Sequence, residues 1–194
     1  MSLSESISLL KSRKVVLQDG LTDRETCSIE ARYRFVFPPD LRALLQTALP
    51  VAPGFPNWRV ESNEIWTQLR RPIEGVLFDV QNSNFWWTAW GERPESKAEA
   101  AMIAERWLIE LPPLVPIYRH SYLPCFPNVA GNPVFSIHQC DVIHRGSNLR
   151  SFLKWAFRPN VDDDDDEPTV YDASYQYISF WTDLARTNYE SHVG

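Results

Sequence analysis

Helix-start signals near the beginning of this sequence constrain its fold more than any other local pattern. Ser2 and Glu5 have the spacing of a capping box, in which the hydroxyl and the carboxylate each accept a backbone N–H of the first turn. Thr22 and Glu25 repeat that spacing further along. The chain is therefore predicted to open with two short helices, the second ending at about Tyr33.

Prolines set the limits of the next elements. Pro38 restricts its predecessor to an extended conformation, and Pro39 suits the first turn of a helix. The segment DLRALLQTAL then has leucines at helical spacing, which predicts a third helix that Pro50 ends. Those leucines are Leu41, Leu44, Leu45 and Leu49. Residues Pro53 to Arg59 are predicted to form a loop.

The middle of the chain is rich in aromatic and β-branched residues. EGVLFDV and NFWWTAW are predicted strands, as are PLVPIY and NPVFSIHQCDVI. Between them, ESKAEAAMIAERWLIEL predicts a helix that Pro112 stops. Its expected inward stripe consists of Ala98, Ala101, Met102, Glu105 and Leu108.

The remaining segments complete an α+β pattern. GSNLRSFLKWAF predicts a helix with Ser147 near its start, an acidic loop follows at 161–167, and a last helix is expected at about 173–190. Helices at both ends and strands in the middle predict one α+β domain over 1–194, with a mixed, mainly antiparallel sheet flanked by helices.

Composition narrows the class of protein. The 194 residues suffice for one hydrophobic core. The net charge of −6 and the lack of a basic stripe argue against a nucleic-acid binder and favour a basic partner. Cys27, Cys125 and Cys140 form no disulfide or zinc pattern. No apolar run is long enough for a membrane span or a signal peptide, so a soluble cytoplasmic protein is expected.

Candidate catalytic or metal-binding residues are few. His138 and Cys140 are two apart on a predicted strand, with His144 just beyond, and His120 would supply a further zinc ligand. The alternative is that they are ordinary residues of a half-buried strand. Cys125 with His120 or His138 would suit a thiol nucleophile, but such pairs also arise by chance.

Motifs for common chemistries are missing from the sequence. No G-x-S-x-G, Walker, Rossmann or zinc-deaminase pattern occurs. We therefore expect no catalytic residue, no metal and no cofactor.

Two features favour protein binding instead. The run Asp162 to Asp166 is predicted to be either a solvated loop or a segment that attracts a basic protein or binds a cation weakly. In the predicted strand NFWWTAW, one face carries Trp86 and Trp90 and the other Trp87. One face would be core, and the other would be either covered by helices or loops or exposed as a binding hot spot. The predicted partner-binding residues are Trp86, Trp90, Asp162, Asp163, Asp164, Asp165 and Asp166.

A series of segments in one order resembles the SUKH superfamily, which includes the Smi/Knr-type cell-wall regulators and bacterial immunity proteins. The series begins with GLTDRETCSIEARYRFVFPPDLRALLQ and continues with FWWTAWGERP, LVPIYRHSYLP and GNPVFSIHQCDVIHRGSNLRSFL. It covers about residues 20–153. The acidic run and the last helix lie beyond it.

The resemblance implies an α+β fold and a function by binding, with no shared catalytic residues. It predicts an immunity protein that occludes the active site of a toxin, with a basic nuclease-type toxin as the expected partner. The alternatives are a regulatory interaction scaffold and a hydrolase or metal protein that uses His120, Cys125, His138 and His144. A monomer or weak homodimer is expected.

Overall fold

The computed structural model describes residues 2–159 and 174–193, in which helices pack on both faces of an antiparallel sheet. The helices are α1 (Leu3–Ser12), α2 (Asp23–Tyr33), α3 (Pro39–Thr47), α4 (Asn63–Asn82), α5 (Lys97–Leu108), α6 (Leu149–Ala156) and α7 (Trp181–Val193). The strands are β1 (Leu17–Asp19), β2 (Ala48–Pro50), β3 (Leu114–Tyr118), β4 (Ser121–Pro124), β5 (Val134–His138) and β6 (Asp141–Gly146). The predicted α+β class is confirmed.

The main sheet is a meander of four strands in the order β3-β4-β5-β6, and every neighbouring pair is antiparallel. Two-residue turns join β3 to β4 and β5 to β6, since Tyr118 pairs with Ser121 and His138 pairs with Asp141. Both turns lie at the same end of the sheet because the strands alternate in direction. A separate small ladder pairs β1 with β2.

Side-chain alternation along the strands gives the sheet two buried faces. Leu123 and Val134 belong to a first core, which is closed by α1, α2, α3 and α6. Tyr122 and Phe135, their immediate neighbours in sequence, belong to a second core beneath α5 and α7. Helix α4 contributes to both cores, because Ile65 near its start joins the first and residues near its end join the second.

The capping predictions are confirmed at both early helices. The hydroxyl groups of Ser2 and Thr22 accept from the N–H of Glu5 and Glu25, and the carboxylates accept from the cap residues in return. The second helix ends at Tyr33, as predicted. Helix α3 begins at Pro39 and buries Leu41, Leu44 and Leu45, whereas Leu49 belongs to β2.

Two of the predicted strands are wrong. EGVLFDV lies inside α4, and NFWWTAW forms an irregular segment that ends in a single 3₁₀ turn, Thr88–Trp90. Buried residues of α4 recur at helical spacing, so packing against the sheet outweighs the local preference for strand. The buried set is Ile65, Pro72, Val76, Asp79 and Val80.

Three further predictions need correction. NPVFSIHQCDVI is a hairpin of β5 and β6 rather than one strand. The last helix begins at Trp181, later than predicted. Helix α5 is where expected, but its buried stripe is Ala100, Ala104 and Leu108, so only Leu108 of the predicted stripe is correct. None of the helices in the described ranges combines the length and the apolar character needed to cross a membrane.

Candidate binding surface

The outer face of α5 exposes large apolar side chains. Met102 is 61% exposed, Trp107 54% and Ile109 56%. Met102 lies in the middle of α5, Trp107 is its penultimate residue and Ile109 is the residue that caps it. Met and Trp are enriched at protein interfaces, where a covered Trp often contributes about 2 kcal/mol or more. We define the α5 surface by these three residues together with Ile103 and Arg106.

The sequence of α5 explains why this surface is apolar. Ala100, Ala104 and Leu108 recur every four residues and are fully buried against the second core. Ile103 directly precedes Ala104 in sequence, and Trp107 directly precedes Leu108, so these two residues form a second stripe along α5 beside the buried one. The apolar arc of α5 is thus wider than the face that the core covers, which leaves a stripe of apolar surface in solvent.

The α5 surface is concave around Trp107. A shallow open depression of about 450 Å³ is lined by Ile103, Arg106, Trp107, Ile109 and Glu110. The charged residues Arg106 and Glu110 therefore line the same depression as the three apolar side chains. Such a mixture suits an interface with an apolar centre and a polar rim.

Trp107 differs from the other tryptophans in having no partner. In the described part of the chain, neither its ring nor its indole N–H makes an aromatic contact or a hydrogen bond. Trp66 is also partly exposed, but it packs against Tyr33 with ring centroids 4.8 Å apart. Trp58 is 2% exposed and lies in the first core.

Ion pairs connect α5 to α4. Arg70 pairs with Glu74 at 3.1 Å in its own helix and approaches Glu105 of α5 at 3.9 Å. All three side chains are about half exposed, so water screens the pairs and each contributes well under about 1 kcal/mol. Because Glu105 is two residues from both Ile103 and Trp107, about 200° around the helix, these charges lie on the flank of α5 opposite to the apolar stripe.

The structure places the two predicted binding tryptophans elsewhere. Trp90 is 8% exposed and stacks on Phe180 of the second core at a centroid distance of 5.9 Å. Trp86 is half-buried, packs edge-on against Trp90 at 5.3 Å and donates its indole N–H to the carbonyl of Gly91 at 2.8 Å. The alternating strand faces expected for this segment do not exist, and Trp90 is a core residue.

The other predicted binding residues, Asp162 to Asp166, lie outside the described residues. Binding by this run, by Trp86 and by Trp90 stays a prediction.

The candidate nucleophile and metal ligands fall on different parts of the sheet. Cys125 is buried in the first core, whereas His144 packs against Phe135 in the second, with ring centroids 4.9 Å apart. His138 ends β5, and Cys140 follows it in the turn, so they do not share a strand face. Within residues 2–159 and 174–193, no group of three or more His, Cys, Asp or Glu is placed to hold a metal ion.

The electrostatic setting of the cysteines opposes thiolate formation. Burial, followed by the negative charge of Glu30, raises the pKa of Cys125 to about 12. Burial also raises the pKa of Cys140, and Asp79 adds to the effect through its charge and a hydrogen bond. A reactive thiolate needs a lowered pKa instead. The structure therefore gives neither thiol the activation that a nucleophile requires.

Comparison of the chain with protein-family models, with curated proteins and with solved structures gives no match. The resemblance to the SUKH superfamily accordingly stays a prediction.

Proposed function

We propose that this chain is a non-catalytic protein-binding domain and that the α5 surface is where its partner binds. The observation that carries the proposal is Trp107, a half-exposed tryptophan with no ring or hydrogen-bond partner among the described residues, beside a depression of about 450 Å³. A partner side chain that enters this depression would cover the indole ring, Ile103 and Ile109 together. Covering such a cluster at the centre of an interface is what produces a binding hot spot.

Within this class, we propose an immunity protein that acts in the cytoplasm. The support is the ordered resemblance to the SUKH superfamily, which implies binding and neutralisation of a toxin by occlusion of its active site. The net charge of −6 supports a basic, nuclease-type toxin, since opposite charge speeds the encounter of two proteins. A regulatory interaction scaffold, acting as a monomer or weak homodimer, would use the same surface with another partner.

The experiment compares two serine variants of the tagged protein. Trp107→Ser removes the exposed ring from α5, and Phe126→Ser removes a ring that is 65% exposed in the loop after β4. Each is used for affinity purification from the native host, with mass spectrometry of the bound proteins. We expect a stoichiometric partner on the wild type and on Phe126→Ser, and its loss from Trp107→Ser. A partner that Trp107→Ser retains in full would overturn the assignment of the α5 surface.

A second step separates immunity from regulation. The partner is expressed in a test host with the wild-type protein or with Trp107→Ser, and growth is measured. Immunity predicts that the partner alone arrests growth, that the wild type restores it and that Trp107→Ser restores it poorly. A harmless partner that binds through Trp107 would instead support the regulatory scaffold.

A further inference from the structure

Positive charge gathers at the end of the sheet where the two hairpin turns lie, although the chain as a whole is acidic. Arg119 and His120 form the β3–β4 turn, and His138 ends β5 beside the second turn. The two turns are neighbours, because the carbonyl of His120 accepts the N–H of Ile137 at 3.0 Å. We define the basic cluster as Arg71, Arg119, His120, His138 and Arg145.

The members come from α4, the β3–β4 turn, β5 and β6, which the fold brings together. Arg71 projects from α4, the helix that crosses this end of the sheet. Arg145 comes from β6, where its guanidinium carbon lies 4.9 Å from the centre of the Trp155 ring. Arg119 lies over the ring of Tyr118 at 5.3 Å. Stacking on a ring orients a guanidinium group and reduces the entropy lost when it binds.

The charges are close enough to influence one another. The pKa of His120 is lowered, first by partial burial of its ring and then by the positive charges of Arg145, His138, Arg119 and Arg71. Asp141 faces His138 across the second turn and offsets part of this charge. In the described ranges, the side chains of Arg71 and Arg119 form no ion pair and no hydrogen bond. An anion that reached them would therefore meet guanidinium groups with open donor positions.

We propose that the basic cluster binds a carboxylate-rich segment of a partner protein. Guanidinium groups pair with carboxylates through two parallel hydrogen bonds, and several such groups at fixed positions favour a ligand with several carboxylates. Nucleic acid fits less well, because guanidinium groups already lie over the rings of Tyr118 and Trp155, where a base would stack. This site is distinct from the α5 surface, and the inference does not depend on the proposed function.

The test measures binding of a fluorescent hexaglutamate peptide to the full chain by anisotropy, with hexaglutamine as the neutral probe. We expect binding of hexaglutamate alone, weakening as salt rises. The double variant Arg71→Gln/Arg119→Gln should bind about tenfold more weakly, because two charge-assisted hydrogen-bond sites are lost. The control Lys11→Gln/Arg24→Gln makes the same change in net charge at exposed positions of α1 and α2. It should stay within about twofold of the wild type.

A second readout locates the bound carboxylates. Because they would reduce the positive potential at His120, its pKa should rise when hexaglutamate binds, as followed by NMR titration of the ring. An unchanged pKa of His120 at saturation, or equal weakening by the two double variants, would overturn the proposal. Full displacement of the peptide by a single-stranded oligonucleotide would also overturn it, in favour of a nucleic-acid site.

The acidic run of this chain also carries carboxylates, which would compete with hexaglutamate for the basic cluster. A variant with Asn at all five positions, Asp162 to Asp166, removes that source. Equal or tighter binding of hexaglutamate by this variant supports the proposal. Weaker binding would contradict it, because removal of negative charge cannot weaken a site that attracts carboxylates.

Discussion

Asp79 of α4 accepts a hydrogen bond from the backbone N–H of Cys140, in the turn between β5 and β6, at 2.9 Å. The other carboxylate oxygen of Asp79 accepts from the hydroxyl of Ser83 at 3.0 Å. Asp79 is buried, so its carboxylate is satisfied by protein donors rather than by water. This one side chain ties the helix that crosses the end of the sheet to a hairpin turn of the sheet.

The first prediction follows from that connection. We expect Asp79→Ala to lower the free energy of unfolding by about 2–3 kcal/mol, since the N–H of Cys140 loses a charged acceptor in a buried place. Urea denaturation measures the change. The exposed Asp141→Ala, in the same hairpin, should change it by less than about 0.5 kcal/mol. Equal stability of Asp79→Ala and wild type would show that the connection is dispensable.

Gly75→Ala should destabilise the protein, although the same substitution stabilises an ordinary helix. A Cβ at this position would lie 2.9 Å from the Cα of Gln139 and 3.1 Å from its backbone nitrogen. Ala in place of Gly normally stabilises a helix by about 1 kcal/mol. Here we expect Gly75→Ala to destabilise the protein by about 1–3 kcal/mol, because backbone must move to make room.

Thermal or urea unfolding of Gly75→Ala tests this expectation. Glu74→Ala, at the exposed neighbouring position, serves as the control for changes in helix propensity. A stabilised Gly75→Ala would mean that α4 and the second hairpin turn are less closely packed than the structure shows.

Helix α4 shows where local sequence misleads. EGVLFDV has the β-branched and aromatic residues of a strand, and Pro72 and Gly75 inside the helix resemble breakers. The helical spacing of Ile65, Pro72, Val76 and Val80 across the whole segment was the signal for a helix. Packing against both cores also stabilises the helix, and this contribution cannot be read from a short segment of the sequence.

The capped helices could be predicted because their signals are local. A Ser or Thr and a Glu three residues later specify the hydrogen bonds of the first turn, whatever surrounds them. The α5 surface could be predicted only in part. Ile103 and Trp107 at helical spacing beside Ala100 and Ala104 indicate an apolar arc wider than one buried face. Which stripe the core covers depends on α4, and that contact is not local.

Glu25 provides a prediction for the pH dependence of stability. The hydrogen bond from Arg59 at 2.7 Å, followed by those from the backbone and hydroxyl of Thr22, lowers the pKa of Glu25 from 4.5 to about 2. Because the folded pKa is the lower one, the stabilising contribution is present above about pH 4.5 and is lost as the pH falls through about 2.

The comparison of wild type with Glu25→Gln isolates this contribution. The difference in their free energies of unfolding should be largest above about pH 5 and should shrink as the pH falls towards about 2. Glu92→Gln, at an exposed position after the 3₁₀ turn, is the matched control for the loss of one carboxylate. If the difference in free energy of unfolding between wild type and Glu25→Gln did not change with pH, the charge of the Glu25 carboxylate would not stabilise the folded state.

Truncation should strongly destabilise the protein at Trp58 and hardly affect its stability at Trp107, and this contrast tests whether the α5 surface serves to bind a partner rather than to stabilise the fold. Trp58 is 2% exposed and contacts three aromatic rings, including Phe37 at 5.1 Å, so Trp58→Ala should cost about 3–5 kcal/mol of stability. Trp107→Ser removes no ring contact and should change stability by less than about 0.5 kcal/mol. Urea denaturation of both variants provides the measurement. If Trp107→Ser lost more than about 2 kcal/mol, loss of a partner in that variant would reflect unfolding, and the α5 surface would have to be assigned to the stability of the fold.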